Sequence, residues 1–159
     1  MYKVNAVLND SRFTERLKEI NEAEKTRIFC GHGYDHLLSV ARIAYIMVLE
    51  RGLSIDKEVV YATALLHDIG RFSELEKESD HREAGPVLAR PILLDAGFDE
   101  ETTEMICDAI RHHGKYNGDD RSLAGVLYKA DKVSRDCFSC NAFDECNWLP
   151  EKKNDRIKV

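Results

Sequence analysis

An all-α fold, built as a single-domain helical bundle, is what this sequence predicts, and three observations predict it. Apolar residues recur at helical spacing, little alternates with the period of two that a half-buried strand requires, and glycines stand where the apolar stripes stop. The chain has 159 residues, long enough to close one core without a disulfide or a structural metal. Hydrophobic residues make up 43% and charged residues 33%, a balance that excludes wholesale disorder.

The first expected helix is polar and runs from about Ser11 to Arg27, with Asn9, Asp10 or Ser11 as its N-cap and Gly31 and Gly33 beyond its end. The second, Tyr34 to Arg51, carries Leu37, Val40, Ala41, Ala44 and Val48 on one stripe and stops at Gly52. A third starts after Asp56, continues through Val59, Val60, Ala64 and Leu65 and ends at Gly70, so His67 and Asp68 fall in its last turn. From Phe72 to Asp80 the residues are charged and hold no apolar run, and a solvated loop across the mouth of a nearby site is expected there. Selectivity for a substrate is expected from that loop and the pocket walls.

The fourth helix, about His81 to Ala96, contains Pro86 and Pro91, each of which removes a backbone donor and is expected to kink or split it. The fifth begins near Asp99, where Glu100 and Glu101 suit the positive end of the helix dipole, and stops at Gly114. A polar link, Tyr116 to Asp120, leads to the sixth, about Ser122 to Asp136, in which Leu123, Leu127 and Asp131 recur every four residues. A cysteine loop follows, and the charged tail is expected to fray from Glu151.

The formal net charge is −6 and no dense Lys/Arg block exists, so duplex nucleic acid is not an expected partner. A small phosphorylated, nucleotide-like substrate stays compatible, because a metal ion and a few local cations offset a negative surface at close range. Met1 to Asp10 lacks the apolar core of a signal peptide and no stretch reaches the length of a membrane span, so a cytoplasmic protein without a membrane partner is expected. The oligomeric state is left open. Five cysteines in such a chain argue against a disulfide framework and leave free thiols or metal ligands.

Helix geometry singles out certain polar residues. Val60, Ala64 and His67 share a stripe, and Asp131 continues the stripe of Leu123 and Leu127, so both ionisable side chains point where the apolar ones point. A lone histidine on an apolar face is more often a hydrogen-bonded core residue than a ligand. Three helices each presenting such a residue inward, one of them with a His-Asp dipeptide, shift the balance toward a metal. A buried carboxylate needs a compensating cation, and imidazole nitrogens with carboxylate oxygens suit zinc, iron, manganese or magnesium.

The segments "GYDHLLSVARIA", "ATALLHDIGR" and "LYKADKVSR" resemble the three signature segments of the HD-domain phosphohydrolase superfamily, in which H, HD and D lie on separate helices. The resemblance covers roughly Cys30 to Arg135. It divides the chain into an N-terminal helix packed on the core (1–28), the HD domain (29–136) and a cysteine-containing loop and tail (137–159). It implies an all-α bundle, a divalent metal (manganese, iron, magnesium, zinc, cobalt or nickel) on His36, His67, Asp68 and Asp131, and hydrolysis of a nucleotide or other small phosphate ester. In that role Asp68 orients or deprotonates the attacking water, while Arg71, Lys132 and Arg135 neutralise charge on the phosphoryl group.

Two other functions share the scaffold: a di-iron oxygenase, and a non-enzymatic domain that binds a nucleotide or metal and signals to a partner. The segments "HREAG" and "AIRHHG" resemble the extra histidine positions of two-metal HD proteins, so His81 and His113 are expected either to hold a second ion or to bind substrate phosphate. The Gly-Tyr-Pro signature of the cyclic-dinucleotide branch is absent. His112 is a weaker candidate for the same role, expected to face away. His32, four residues before His36 but separated from it by Gly33, is expected in the second layer around the metal or facing substrate. Cys137, Cys140 and Cys146, with C-x2-C-x5-C spacing, resemble the last three cysteines of an iron–sulfur loop in some DNA glycosylases, although the upstream position falls at Ala130. With Cys30 they make a candidate zinc or iron–sulfur centre, and surface thiols are the alternative; Cys107 reads as a small helix residue.

Overall fold

Short polar side chains open most of the helices. In the computed structural model, which describes residues 1–75, 80–115 and 118–158, carboxylates of Asp10, Asp56, Asp80 and Asp99 and the hydroxyl of Ser122 accept hydrogen bonds from backbone N–H groups at the helix starts they precede. Each such cap supplies about 1 kcal/mol. The elements among the described residues are α1 (Tyr2–Asn9), α2 (Ser11–Ala23), α3 (Tyr34–Glu50), α4 (Lys57–Leu66), α5 (Arg71–Leu75), α6 (His81–Asp95), α7 (Glu100–His112) and α8 (Leu123–Val133), followed by 3-10 turns at Cys137–Ser139 and Pro150–Lys152. No strand occurs among them, and none of these helices is long and apolar enough to cross a membrane.

The centre of the bundle is α4. Val59, Val60 and every residue from Ala62 to Leu66 are buried, the signature of a helix enclosed on all sides. It packs against α1, α3, α6, α7 and α8, whereas α2 covers the outside of α1 and α5. The carboxyl end of α4 therefore emerges in the middle of the molecule, and the residues that follow it are surrounded by α3, α6, α7 and α8. Gly52 stops α3 as its sequence position implies: its φ of 59° is left-handed, and Leu53 N–H returns to the Val48 carbonyl at 2.9 Å.

Several expectations need correction. The N-terminal region holds two helices, because Val4 and Val7 of α1 are buried in the core although eight residues carry little periodic signal. Helix α2 ends at Ala23, four residues before Arg27, which turns Glu24 inward. Helix α6 runs continuously through Pro86 and Pro91; Ala89, Ile92 and Leu93 are buried and α7 packs along it, so tertiary contact outweighs the two missing donors. Arg71 to Leu75 form a short helix where a loop is expected; residues 76–79 of that segment, and 116–117 of the next link, lie outside the described residues.

The tail does not fray at Glu151. Asn154 is 4% exposed, and its side-chain amide donates to the carbonyls of Lys132 and Arg135 at 2.9 Å each. Carbonyls at a helix end lack intrahelical partners, and here a residue 19 to 22 positions away supplies them.

Candidate metal centre

Three segments deliver the first set of donors. His36 lies in the opening turn of α3, His67 caps the end of α4 with Asp68 after it, and Asp131 occupies the last turns of α8. His67 is 0% exposed and the two carboxylates 5% each, so neither charge is tolerable without a cationic partner. Nε2 of His67 stands 3.1 Å from Asp68 Oδ2 and 4.0 Å from Asp131 Oδ1. Nε2 of His36 stands 3.4 Å from Asp131 Oδ1 and 3.7 Å from Asp68 Oδ2.

The other ring nitrogen of each histidine is already engaged. Nδ1 of His67 donates to the Ala64 carbonyl at 2.7 Å, and Nδ1 of His36 faces the Ser134 hydroxyl at 3.5 Å, which in turn donates to the Asp131 carbonyl at 2.8 Å. With a proton on Nδ1, the neutral ring carries its lone pair on Nε2, the tautomer that binds metals. Both Nε2 atoms are buried without a hydrogen-bond partner. Donors about 2.1 Å from one ion lie roughly 3 to 4 Å apart, so the four His–Asp separations suit a divalent ion, and His36, His67 and Asp68 bring one ligand atom each within 4.8 Å of one another.

Where an ion fits, a proton fits too. Burial pushes the His67 imidazole down, but the nearby charges of Asp68 and Asp131 and its bond to the Ala64 carbonyl outweigh that and raise it to about 9. For His36 burial prevails and the ring is lowered despite Asp131 and Asp68. Burial would raise both carboxyls, yet His67 and His113 hold Asp68 well below the usual carboxylate range, and His36, His67 and Lys132 do the same for Asp131.

A second group shares Asp68. Its Oδ1 is 3.6 Å from Nε2 of His113 and 4.0 Å from Nε2 of His81, and those two nitrogens are 3.2 Å apart. Asp68 thus turns one oxygen toward His36 and His67 and the other toward His81 and His113; each set of three, with Asp68, places its ligand atoms within 4.8 Å of one another. Gly70 permits this: a Cβ there would collide with the backbone of His81 and Gly85, so only glycine lets the turn after Asp68 lie against the start of α6.

The remaining candidates surround these groups unevenly. His32 is nearly buried in the turn before α3, its ring centroid 5.7 Å from that of His36. Its backbone N–H and Nδ1 both meet the Glu24 carboxylate, at 2.8 and 2.6 Å. Arg71 follows the His-Asp pair with its N–H on the Asp68 carbonyl at 2.9 Å. Lys132 sits with its ammonium 2.5 Å from Asp131 Oδ2. The Arg135 guanidinium lies 3.7 Å from the Trp148 ring centre. His112 is exposed and pairs with Asp108 on its own helix, away from the centre as expected.

A four-cysteine centre gains no support. Among the described residues the ion-holding groups contain no cysteine, and all five thiols are free. Cys30 and Cys137 both line two surface cavities, one shared with Cys146 and the other with Cys140, yet among the described residues these thiols form no group close enough to hold one ion. Cys107 is buried in α7, its thiol 3.6 Å from the Pro86 carbonyl. Sequence reasoning missed Glu24, Ser134 and Trp148. Only Trp148, the one tryptophan of the chain, carried a signal of its own.

Comparison with known proteins places this arrangement. The family described as HD domain matches residues 33–136. An uncharacterized protein of Clostridium beijerinckii is 40% identical over 157 residues, 99% of each chain. Ribonuclease Y of Thermus thermophilus is 35% identical over 99 residues, 62% of this chain and 16% of that protein. Ribonuclease Y of Pseudothermotoga lettingae is 36% identical over 81 residues, 51% of this chain and 14% of the relative. No solved structure matches significantly.

Proposed function

Because the chain belongs to the HD-domain family, we propose that it is a metal-dependent phosphohydrolase acting on a small phosphate ester, with His36, His67, Asp68 and Asp131 holding one ion and Asp68, His81 and His113 a second. The observation that carries this reading is the pair of buried Nε2 atoms on His36 and His67, without hydrogen-bond partners and turned toward two buried carboxylates. Bound divalent ions supply Lewis acidity, which makes water more acidic and polarises a phosphoryl oxygen.

The chain's own groups do the rest. Asp68, kept ionised by His67 and His113, remains an acceptor that orients the attacking water. The Ala64 and Ile110 carbonyls fix the rings of His67 and His113 and keep their Nε2 lone pairs directed at the centre. Arg71, whose backbone N–H donates to the Asp68 carbonyl, is the cation assigned to neutralise charge on the phosphoryl group. Lys132 holds Asp131 in place.

The test is metal analysis of the freshly purified protein, then a phosphate-release screen over phosphomonoesters and phosphodiesters. Activity should require the ion and should disappear in His67→Ala and Asp68→Ala, with helical content retained because the apolar core is untouched. Undiminished, metal-independent hydrolysis in either variant would remove the assignment.

A further inference from the structure

The largest cavity beside the metal centre is built almost wholly from chain that flanks the HD match. It measures about 390 Å³, within the range of small-molecule sites. Of its lining residues only Arg71 and Arg135 fall within 33–136; the others come from the turn around Arg27, Phe29 and His32 and from the C-terminal segment up to Trp148. Two of them connect it to the centre: His32 through its ring contact with His36, and Arg71 through its backbone bond to Asp68.

Its charge runs opposite to that of the protein. The chain carries −6 overall, whereas three arginines line this cavity and none of its lining residues is acidic. Two of the guanidiniums are paired with aromatic rings, Arg135 with Trp148 at 3.7 Å and Arg27 with Phe29 at 6.0 Å. Those contacts orient the cations in advance and leave flat apolar wall beside them. A concave, cationic and partly aromatic chamber takes a compact anion attached to a planar group. A strand-tracking surface, by contrast, draws on a dense run of Lys and Arg, and the sequence holds none.

We infer that this cavity, rather than the charged segment after Phe72, is the substrate-recognition chamber, and that it selects a phosphate monoester of mononucleotide size. The inference rests on the hydrolase reading only in treating the chamber's occupant as the substrate. A terminal phosphate carries two negative charges against one for an internal diester, so a chamber with three arginines discriminates in favour of the monoester. Residues 27–32 and 137–148 then set specificity, while the helices between them supply chemistry.

Trp148, the sole tryptophan, reports occupancy directly. The full chain, as purified and again with EDTA, is titrated with 5′-AMP, with adenosine and with the dinucleoside monophosphate ApA while tryptophan emission is followed. A saturable change with 5′-AMP is expected in both conditions, at least about tenfold tighter than with adenosine or ApA. Arg27→Ala should weaken 5′-AMP by about tenfold and Arg27→Lys should restore part of it. Absence of a saturable change, or ApA binding as tightly as 5′-AMP, overturns the inference; the three-probe comparison on the unmutated chain decides it if Arg27→Ala fails to fold. Intact 5′-AMP binding without phosphate release would count against the hydrolase reading alone. Phosphate release with 5′-AMP and ApA bound equally would count against the chamber alone.

Discussion

Nε2 of His81 lies 3.2 Å from Nε2 of His113, while Nδ1 of His113 donates to the Ile110 carbonyl at 2.6 Å. His113 in its neutral form therefore has only a lone pair to offer His81. Without an ion, His81 must present its proton on Nε2; with one, both lone pairs converge on it beside Asp68 Oδ1. Titration of metal-free protein with manganese should show two binding events per chain, and His81→Ala or His113→Ala should each remove the weaker one. A single event, unchanged by either substitution, would leave these histidines as phosphate-binding groups.

Metal affinity should rise with pH. His67 is raised to about 9, so in metal-free protein at neutral pH it holds a proton that an ion must displace. Between about pH 6.5 and 9 each unit should strengthen binding by up to about tenfold. The sign for stability is the reverse. A folded-state pKa above the unfolded value stabilises the metal-free fold fully below about 6.5, and that stabilisation is lost as pH rises through about 9. Calorimetric titrations in buffers of different protonation enthalpy should show protons released on metal binding near pH 7.5; affinity flat across this range would contradict the proton competition.

Glu24 holds His32 by two contacts, and its side chain is only 6% exposed. Burial works to raise its carboxyl, yet the hydrogen bonds and charge of His32 prevail and lower it below its ordinary 4.5. Its contribution to stability is therefore present above about pH 4.5 and is lost as pH falls through the lower folded value. Glu24→Gln should cost about 1.5 to 3 kcal/mol at neutral pH, and the difference from the unmutated chain should shrink on acidification. Denaturant unfolding at several pH values measures both; equal stability at neutral pH would show that the clamp contributes nothing.

Asn154 joins the tail to the end of α8, which carries Asp131. Asn154→Ala leaves the Lys132 and Arg135 carbonyls without that amide and should cost about 1 to 3 kcal/mol, lowering Tm by several degrees. It should also loosen Arg135 against Trp148 and change the tryptophan emission. An unchanged melting curve and spectrum would mean that the tail is not fixed to the helix in solution.

The long elements were legible because their information is local. The stripes of Val40, Ala44 and Val48 on α3 and of Leu123, Leu127 and Asp131 on α8 follow from 3.6 residues per turn, and the stop at Gly52 follows from its freedom at positive φ. The same periodicity pointed His67 and Asp131 inward, and both are buried.

What the sequence by itself determined is thus an all-helical chain of the HD type and a set of histidines and aspartates aimed at its core. Only the tertiary structure decided which of them meet. Asp68 turns one oxygen to each pair of histidines because Gly70 lets α6 approach, a fact of packing between segments that no helical spacing encodes. Glu24 reaches His32 because α2 ends at Ala23, and Asn154 closes α8 from the far end of the chain. The cysteine spacing suggested an ion, yet among the described residues the thiols form no ion-holding group, since spacing along a loop fixes how far side chains can be apart and not where they point. Local periodicity depends on neighbours three and four residues away, whereas these contacts depend on how separate segments pack, and that is the physical boundary between what was read and what had to be seen.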